Sequence, residues 1–195
     1  ATLLHLNSCD LISKIADVIG KKDDARWFRQ RHQTVLKAFR DAYVRNGKLN
    51  LPDRSQTLYA LALKYGVFTK TEQKRAITEL VADIESRKTH LSTGFLGTPV
   101  LLPALSDAGR DDIAQHLLLN RDYPSWGHMI AKGATTIWEL WNSDTEGPGM
   151  NSRNHFAYGS VVEWIFGYLA GIRPLEPGFR KVLIAPRPGK PGSDL

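Results

Sequence analysis

Stretches with apolar residues at helical spacing follow one another along this chain, and most of them end on a glycine. Leu4, Leu11, Ile15, Val18 and Ile19 keep the 3.6-residue period up to Gly20. Asp23 or Asp24 serves as cap for a second helix, with the stripe Phe28, Val35, Phe39, Ala42 and Tyr43, which Asn46-Gly47 ends. Leu49 to Pro52 reads as a short extended link. A third helix follows Asp53, passes Leu58, Leu61 and Ala62, and stops at Gly66. Thr69 with Glu72 forms a capping box that opens a fourth, with Ile77, Leu80, Val81 and Ile84 on one face. Thr98-Pro99, a cap and then a proline at the first helical position, starts a fifth, which Gly109 ends. A sixth runs from about Asp111 to Leu119. A last long helix, with Asn154 as its cap, carries Ala157, Val161, Trp164, Ile165, Tyr168 and Leu169 and stops at Gly171.

Amphipathic helices on short links bury their stripes against one another as antiparallel hairpins. No fixed period recurs, so tetratricopeptide and HEAT arrays are not supported. Lys181 to Ala185 is a short β-like run for which no partner strand is evident. The fold class expected is therefore all-α, built of helical hairpins with a short β-like C-terminal segment. Residues 120–155 interrupt the pattern with a long irregular connection, rich in Trp, Thr and Gly, and connections of that length are often functional.

Composition narrows the function classes. With 42% apolar and 24% charged residues in 195, the chain is neither disordered nor collagen-like. The net charge of +6 is spread over short basic runs such as Lys21-Lys22 and Arg87-Lys88, most with an acidic residue nearby, so no nucleic-acid face is expected. The longest apolar stretch, 161–172, contains Glu163 and two glycines and is too short for a bilayer, so no membrane partner is expected either. The N-terminus has no signal pattern, and helical periodicity starts almost at once, as in a chain cut within a larger protein; the compartment stays unassigned. Cys9 is the single cysteine, and the six histidines show no metal-ligand spacing, so no metal site is expected. His90 to Thr98, with two glycines, lacks the strand-then-helix context of a dinucleotide or phosphate loop and reads as a structured loop over the mouth of the fold.

The densest cluster of chemistry is Gly133-Ala-Thr-Thr-Ile-Trp138-Glu139-Leu-Trp141-Asn142. A carboxylate between two indoles has the ingredients of a sugar site: indole faces stack on pyranose rings, and the carboxylate activates water or donates a proton. The structural alternative makes Trp138 and Trp141 core anchors and pairs Glu139 with a nearby Arg. A second cluster, Asn151 to His155, precedes the last helix and places His155 in its first turn, facing the loop of Glu139.

At these residues the sequence resembles a known family. The runs Thr93-Gly-Phe-Leu-Gly-Thr-Pro99, Asp122-Tyr-Pro-Ser-Trp126, Lys132-Gly-Ala-Thr-Thr-Ile-Trp-Glu139 and Asn154-His155 are similar, in order and spacing, to the C-terminal half of the catalytic domain of bacterial α-L-rhamnosidases, the family 78 glycoside hydrolases. The resemblance implies part of an (α/α)6 barrel, over residues 1–173, with 174–195 a linker and the start of a C-terminal β segment. It implies an inverting hydrolase that removes terminal α-L-rhamnose from a rhamnose-containing glycan or glycoside and needs no cofactor. Glu139 then takes the role of general base and His155 that of a sugar contact, with Trp138 and Trp141 beside the substrate. Leu140 and Arg153 depart from the family pattern, which has Arg and an aromatic residue there. The family's general acid lies in an earlier segment that nothing in residues 1–195 matches. Asp122, Asp144, Glu146 and Glu163 are rejected as substitutes. The partners expected are thus the sugar and the remainder of the catalytic domain, with self-association where helix faces near residues 3–19 and the lone C-terminal strand stay uncovered. The chain by itself is expected to be inactive. The alternative is a non-catalytic helical-hairpin module that binds a glycan or a protein.

Overall fold

The computed structural model describes residues 1–51, 55–147, 149 and 151–189. Pro52 and Asp53, expected at the end of the extended link and the start of the third helix, lie outside the described residues, as do 190–195 of the expected C-terminal segment. The helices are α1 (Thr2–Val18), α2 (Lys22–Tyr43), α3 (Gln56–Lys64), α4 (Lys70–Ser86), α5 (Thr98–Asp107), α6 (Asp111–Leu119), α7 (Trp126–Ala131), α8 (Phe156–Gly159) and α9 (Val161–Trp164), with a π-helical turn at Ile165–Leu169. Two antiparallel ribbons complete the secondary structure: β1 (Val44–Arg45) with β2 (Lys48–Leu49), and β3 (Ile172–Pro174) with β4 (Val182–Ile184). The all-α class holds. The chain divides into two units, Ala1–Arg54 with Leu61–Glu79 and Ser55–Ala60 with Leu80–Leu195.

In the first unit α1 and α2 form a hairpin closed by a three-residue link. The face α1 buries is not the one its large apolar residues mark. Leu3, Leu6, Cys9, Ser13 and Ala16 are buried, whereas Leu4, Leu11, Ile15, Val18 and Ile19 are exposed, Val18 to 87%. Both faces of α1 are apolar enough to keep helical spacing, and small side chains at 9, 13 and 16 favour close approach on the buried one. α2 starts at Lys22 behind Lys21, so Asp23 and Asp24 lie in its first turn, where they suit the helix dipole, and neither is the cap. Asn46-Gly47, read as the end of the second helix, turns a hairpin beyond it instead, and Leu49, where the expected extended link starts, is in its second strand. Asn46 and Gly47 both have positive φ, 49° and 77°, the mirror-image turn whose twist matches paired strands. A side chain at 47 would also collide with the backbone of Glu72.

The capping box at the start of α4 is present: the Thr69 amide donates to Glu72 Oε2 at 2.8 Å, and the Glu72 amide to Thr69 Oγ1 at 3.3 Å. Arg40 joins it, donating to Glu72 at 2.9 and 3.2 Å and to the Val67 carbonyl. The Arg40 guanidinium outweighs the burial that would raise the Glu72 carboxyl, and holds it down at about 2.

In the second unit Leu101, Leu105 and Leu117 of the α5–α6 hairpin are fully buried with Leu80, Ile84 and Trp164. α5 begins one residue earlier than expected, behind Gly97. Thr98 is not its cap, and its hydroxyl bonds Thr93 Oγ1 and the Gly94 carbonyl. The last helix is in three pieces, α8, α9 and the π turn, where one long helix was expected. Gly159 and Ser160 break it once. The wider turn then lets Trp164 donate to Ser106 Oγ at 2.9 Å while Tyr168 donates to Asp107 at 2.8 Å.

The C-terminal run has a partner, contrary to expectation. Ile172, Arg173 and Pro174 pair with Ile184, Leu183 and Val182. The partner strand is three residues long and ends on a proline, so the sequence reads there as connection rather than strand. Gly171, φ 70°, makes the bend, and the Ala185 carbonyl occupies the space its Cβ would need. Since the Arg40–Glu72 carboxyl titrates at about 2 when folded and about 4.5 when unfolded, its stabilisation is complete above pH ~4.5 and is lost as pH falls toward ~2. Arg40→Met should therefore cost about 1–3 kcal/mol at neutral pH, less than the full shift because the pair is partly exposed, and the cost should shrink steadily below pH ~4.5 in urea unfolding.

Candidate active site

The long connection between α6 and α8 is ordered from its own residues. Ser125 accepts a 2.9 Å bond from the His128 amide and caps α7, a short helix the sequence reading missed although Ser125 stands at an ordinary cap position. Beyond α7 the chain runs back beside the approach to α8. The His155 amide donates to the Ile137 carbonyl at 2.9 Å and the Glu139 amide to the Ser152 carbonyl at 2.8 Å, while the Thr136 hydroxyl bonds the Arg153 carbonyl. Residues 136–139 and 152–155 are thereby tied into a two-rung ladder that carries Glu139 and His155 together.

Glu139 is half-buried, and its Oε2 accepts the Ser152 amide at 2.8 Å. One residue thus binds both the main chain and the carboxylate of Glu139. The expected alternative, an ion pair between Glu139 and a nearby Arg, is not found among the described residues. Arg153 instead lies over the Trp138 ring, 5.6 Å from its centroid, and donates to the Ser143 carbonyl at 3.1 Å.

Trp138 and Trp141 are 3% and 8% exposed. The Trp141 indole N–H donates to the Thr93 carbonyl at 2.9 Å, its face stacks on Tyr158 at 3.9 Å and 12°, and Trp126 meets it edge-on at 5.2 Å. Trp126 in turn donates to the Tyr158 carbonyl at 3.0 Å. Both tryptophans of the cluster are therefore packed inward, on either side of Glu139 in the chain. Burial, and then the charges of Tyr123 and Glu139, push the Tyr158 phenol up to about 12, so it stays protonated.

His155, not Asn154, caps α8. Its backbone is extended, and Nδ1 accepts the Ala157 amide at 3.2 Å. A ring nitrogen that accepts carries no proton, so any ring proton sits on Nε2. The Phe156 ring stacks on the imidazole at 5.0 Å and 17°.

A further group escaped sequence reasoning. Asp144 Oδ1 lies 3.6 Å from His128 Nε2, and Oδ2 lies 3.6 Å from Lys132 Nζ. The pairing joins α7 to the turn after Glu139, across 12–16 residues of irregular chain that carry no spacing rule. Burial acts to raise the Asp144 carboxyl, but its own backbone amide, His128 and Lys132 together hold it below the usual range. The loop 90–98 is structured, as expected: the buried Gln56 side chain donates to the His90 carbonyl at 3.1 Å and accepts the Ser92 amide at 2.8 Å. Among the described residues no three His, Cys, Asp or Glu side chains are grouped to hold a metal ion. No described helix is long and apolar enough to cross a membrane.

Helical hairpins that carry a half-buried carboxylate on a loop packed with indoles define a domain of the hairpin glycosidase class. Residues 1–169 match the model of the bacterial alpha-L-rhamnosidase 6 hairpin glycosidase domain, and the chain belongs to that family. It is 45% identical to an alpha-L-rhamnosidase of Streptomyces avermitilis and 40% identical to one of Formosa agariphila, in each case over 97% of its own length. The crystal structure of the Streptomyces enzyme complexed with L-rhamnose superposes with a TM-score of 0.89, and that of the Aspergillus terreus enzyme, at 32% identity over 94% of this chain, with 0.88. The chain spans about a fifth of the length of these relatives: 18% and 21% of the two curated ones, and 19% and 22% of the two solved ones.

If Trp141 holds the site together, Trp141→Phe keeps most of the stacking but leaves the buried Thr93 carbonyl unpaired. It should lower stability by about 1–3 kcal/mol in chemical unfolding.

Proposed function

We propose that this chain is the base-bearing part of an inverting glycosidase that removes terminal α-L-rhamnose from a rhamnose-containing glycoside. The observation that carries the proposal is the Ser152 amide on Glu139 Oε2. A carboxylate fixed through one oxygen keeps the other free to take a proton from water. Inversion needs a second carboxylate, as the acid, roughly 6.5–9.5 Å away with the attacking water between. We assign that acid to a segment outside these 195 residues. A general acid needs a raised pKa, and Asp144 is held in the opposite direction, against its burial, by its own backbone amide with His128 and Lys132. Asp122 and Glu163 face solvent, and Glu146 accepts from Asn142 on an exposed turn. The reading is supported by the match of residues 1–169 to a family of rhamnosidases.

His155 supplies the sugar contact through Nε2, as a donor to a hydroxyl. Trp138 and Trp141 act indirectly, by holding the ladder in place, and the residues that close the barrel come from the remainder of the catalytic domain. Residues 1–173 are assigned to that barrel and 174–195 to the passage into a β segment.

In the complete enzyme Glu139→Gln should lower kcat on an aryl α-L-rhamnoside by about 10²–10⁴-fold with KM little changed, and near-normal kcat would sink the assignment. The chain by itself should show no turnover of the same substrate.

His155 needs two variants, because it both caps α8 and faces the ligand. Asparagine is also a good cap, so His155→Asn should keep stability while weakening competitive inhibition by L-rhamnose by about 3–10-fold. An unchanged inhibition constant would reduce His155 to its cap.

A further inference from the structure

We propose that Asp144 is a positioning residue for Glu139, fixing through His128 and Lys132 the tilt of the turn on which the base stands. The inference rests on the assignment of Glu139 as base. After Glu139 the chain closes a tight double turn, with the Ser143 amide on the Leu140 carbonyl at 3.3 Å and the Thr145 and Glu146 amides on the Asn142 carbonyl at 3.0 and 3.1 Å. Asp144 sits in that turn and reaches out of it to α7, with Oδ1 3.6 Å from His128 Nε2 and Oδ2 3.6 Å from Lys132 Nζ. The Asp144 and His128 side chains are only 18% and 16% exposed, so this contact is largely shut off from water. Asp144 Oδ1 is buried and has no hydrogen-bond partner, so the Lys132 charge beside the other oxygen and the packing against His128 hold the carboxylate there.

α7 is a firm anchor. Ser125 caps it, and Trp126 ties it to α8 through the Tyr158 carbonyl. The rung between residues 139 and 152 and the Ser143–Asn151 side-chain bond fix which segments lie side by side. What Asp144 adds on this proposal is resistance to rocking of the turn about the ladder, a motion that would displace the Glu139 carboxylate. An in-line attack by water tolerates little such displacement, since a misplacement of about 1 Å costs about 10²-fold in rate. Asp144 touches the substrate nowhere in this scheme; it acts through Glu139.

The test is a double-mutant cycle in the complete enzyme with an aryl α-L-rhamnoside. Asp144→Asn should lower kcat about 10–100-fold while KM, and inhibition by L-rhamnose, stay within about 2-fold. In the Glu139→Gln background the same change should alter the residual kcat by less than about 2-fold, because the group it positions has gone. An equal loss of kcat in both backgrounds, or weaker L-rhamnose inhibition with kcat unchanged, would overturn the proposal. Should Asp144→Asn fail to fold, Lys132→Met, at a half-exposed position, carries the same cycle with an expected loss of about 3–10-fold. A Glu139→Gln enzyme as active as wild type is a different result: it overturns the base assignment itself.

Discussion

The indole of Trp141 is the point on which the rest of the site depends. Its N–H reaches the Thr93 carbonyl, 48 residues away in sequence, while its face and edge take up Tyr158 and Trp126. Aromatic contacts of this kind contribute about 0.5–1.5 kcal/mol each beyond the area they bury, and a buried indole N–H without a partner would cost more than either. That one side chain therefore joins the loop before α5, the start of α7 and the start of α8. A connection of more than thirty residues with little regular structure stays ordered on such terms, and only an ordered connection can hold a carboxylate where a reaction needs it.

Much of the helical framework was legible, because its signals are local. The glycine stops at 20, 66, 109 and 171 all carry positive φ, and the Thr69–Glu72 box forms as read. α6 spans Asp111–Leu119 as expected. What failed locally failed where two readings share one pattern. α1 is apolar on both faces, so spacing identified a helix without choosing its buried side. Asn46-Gly47 ends a helix and equally turns a hairpin, and the short paired residues on either side were too few to register. The β3–β4 ribbon was hidden by Pro174, which forms the end of a strand that composition alone reads as a linker.

The candidate site was legible in its residues and not in its geometry. Glu139 between two tryptophans, and Asn154-His155 before a helix, stand out in the sequence. That the indoles face inward and that Asp144 is bound to α7 depend on contacts between segments 12–48 residues apart, set by packing that no spacing rule encodes. That His155 replaces Asn154 as the cap is a local matter, a bond to the amide two residues on, for which Asn and His compete at neighbouring positions. The cap shows how this changes chemistry as well as position. Because Nδ1 of His155 is occupied by a backbone amide, the ring offers a donor and not an acceptor to whatever lies beyond it.

On the proposed assignment, the two halves of an inverting reaction are built on different scales. The base is prepared locally: the ladder, the Ser152 amide and the Trp141 contacts all lie within residues 93–158, so its orientation is specified by a short part of the chain. Its distance from the acid is not. That distance spans the water and the sugar ring, and depends on how this part and the remainder of the catalytic domain close around the substrate. Rigid local support is what makes such a division workable. If the base also shifted when the remaining hairpins closed, errors in orientation and in separation would add. With orientation fixed beforehand, closure has only the separation left to set.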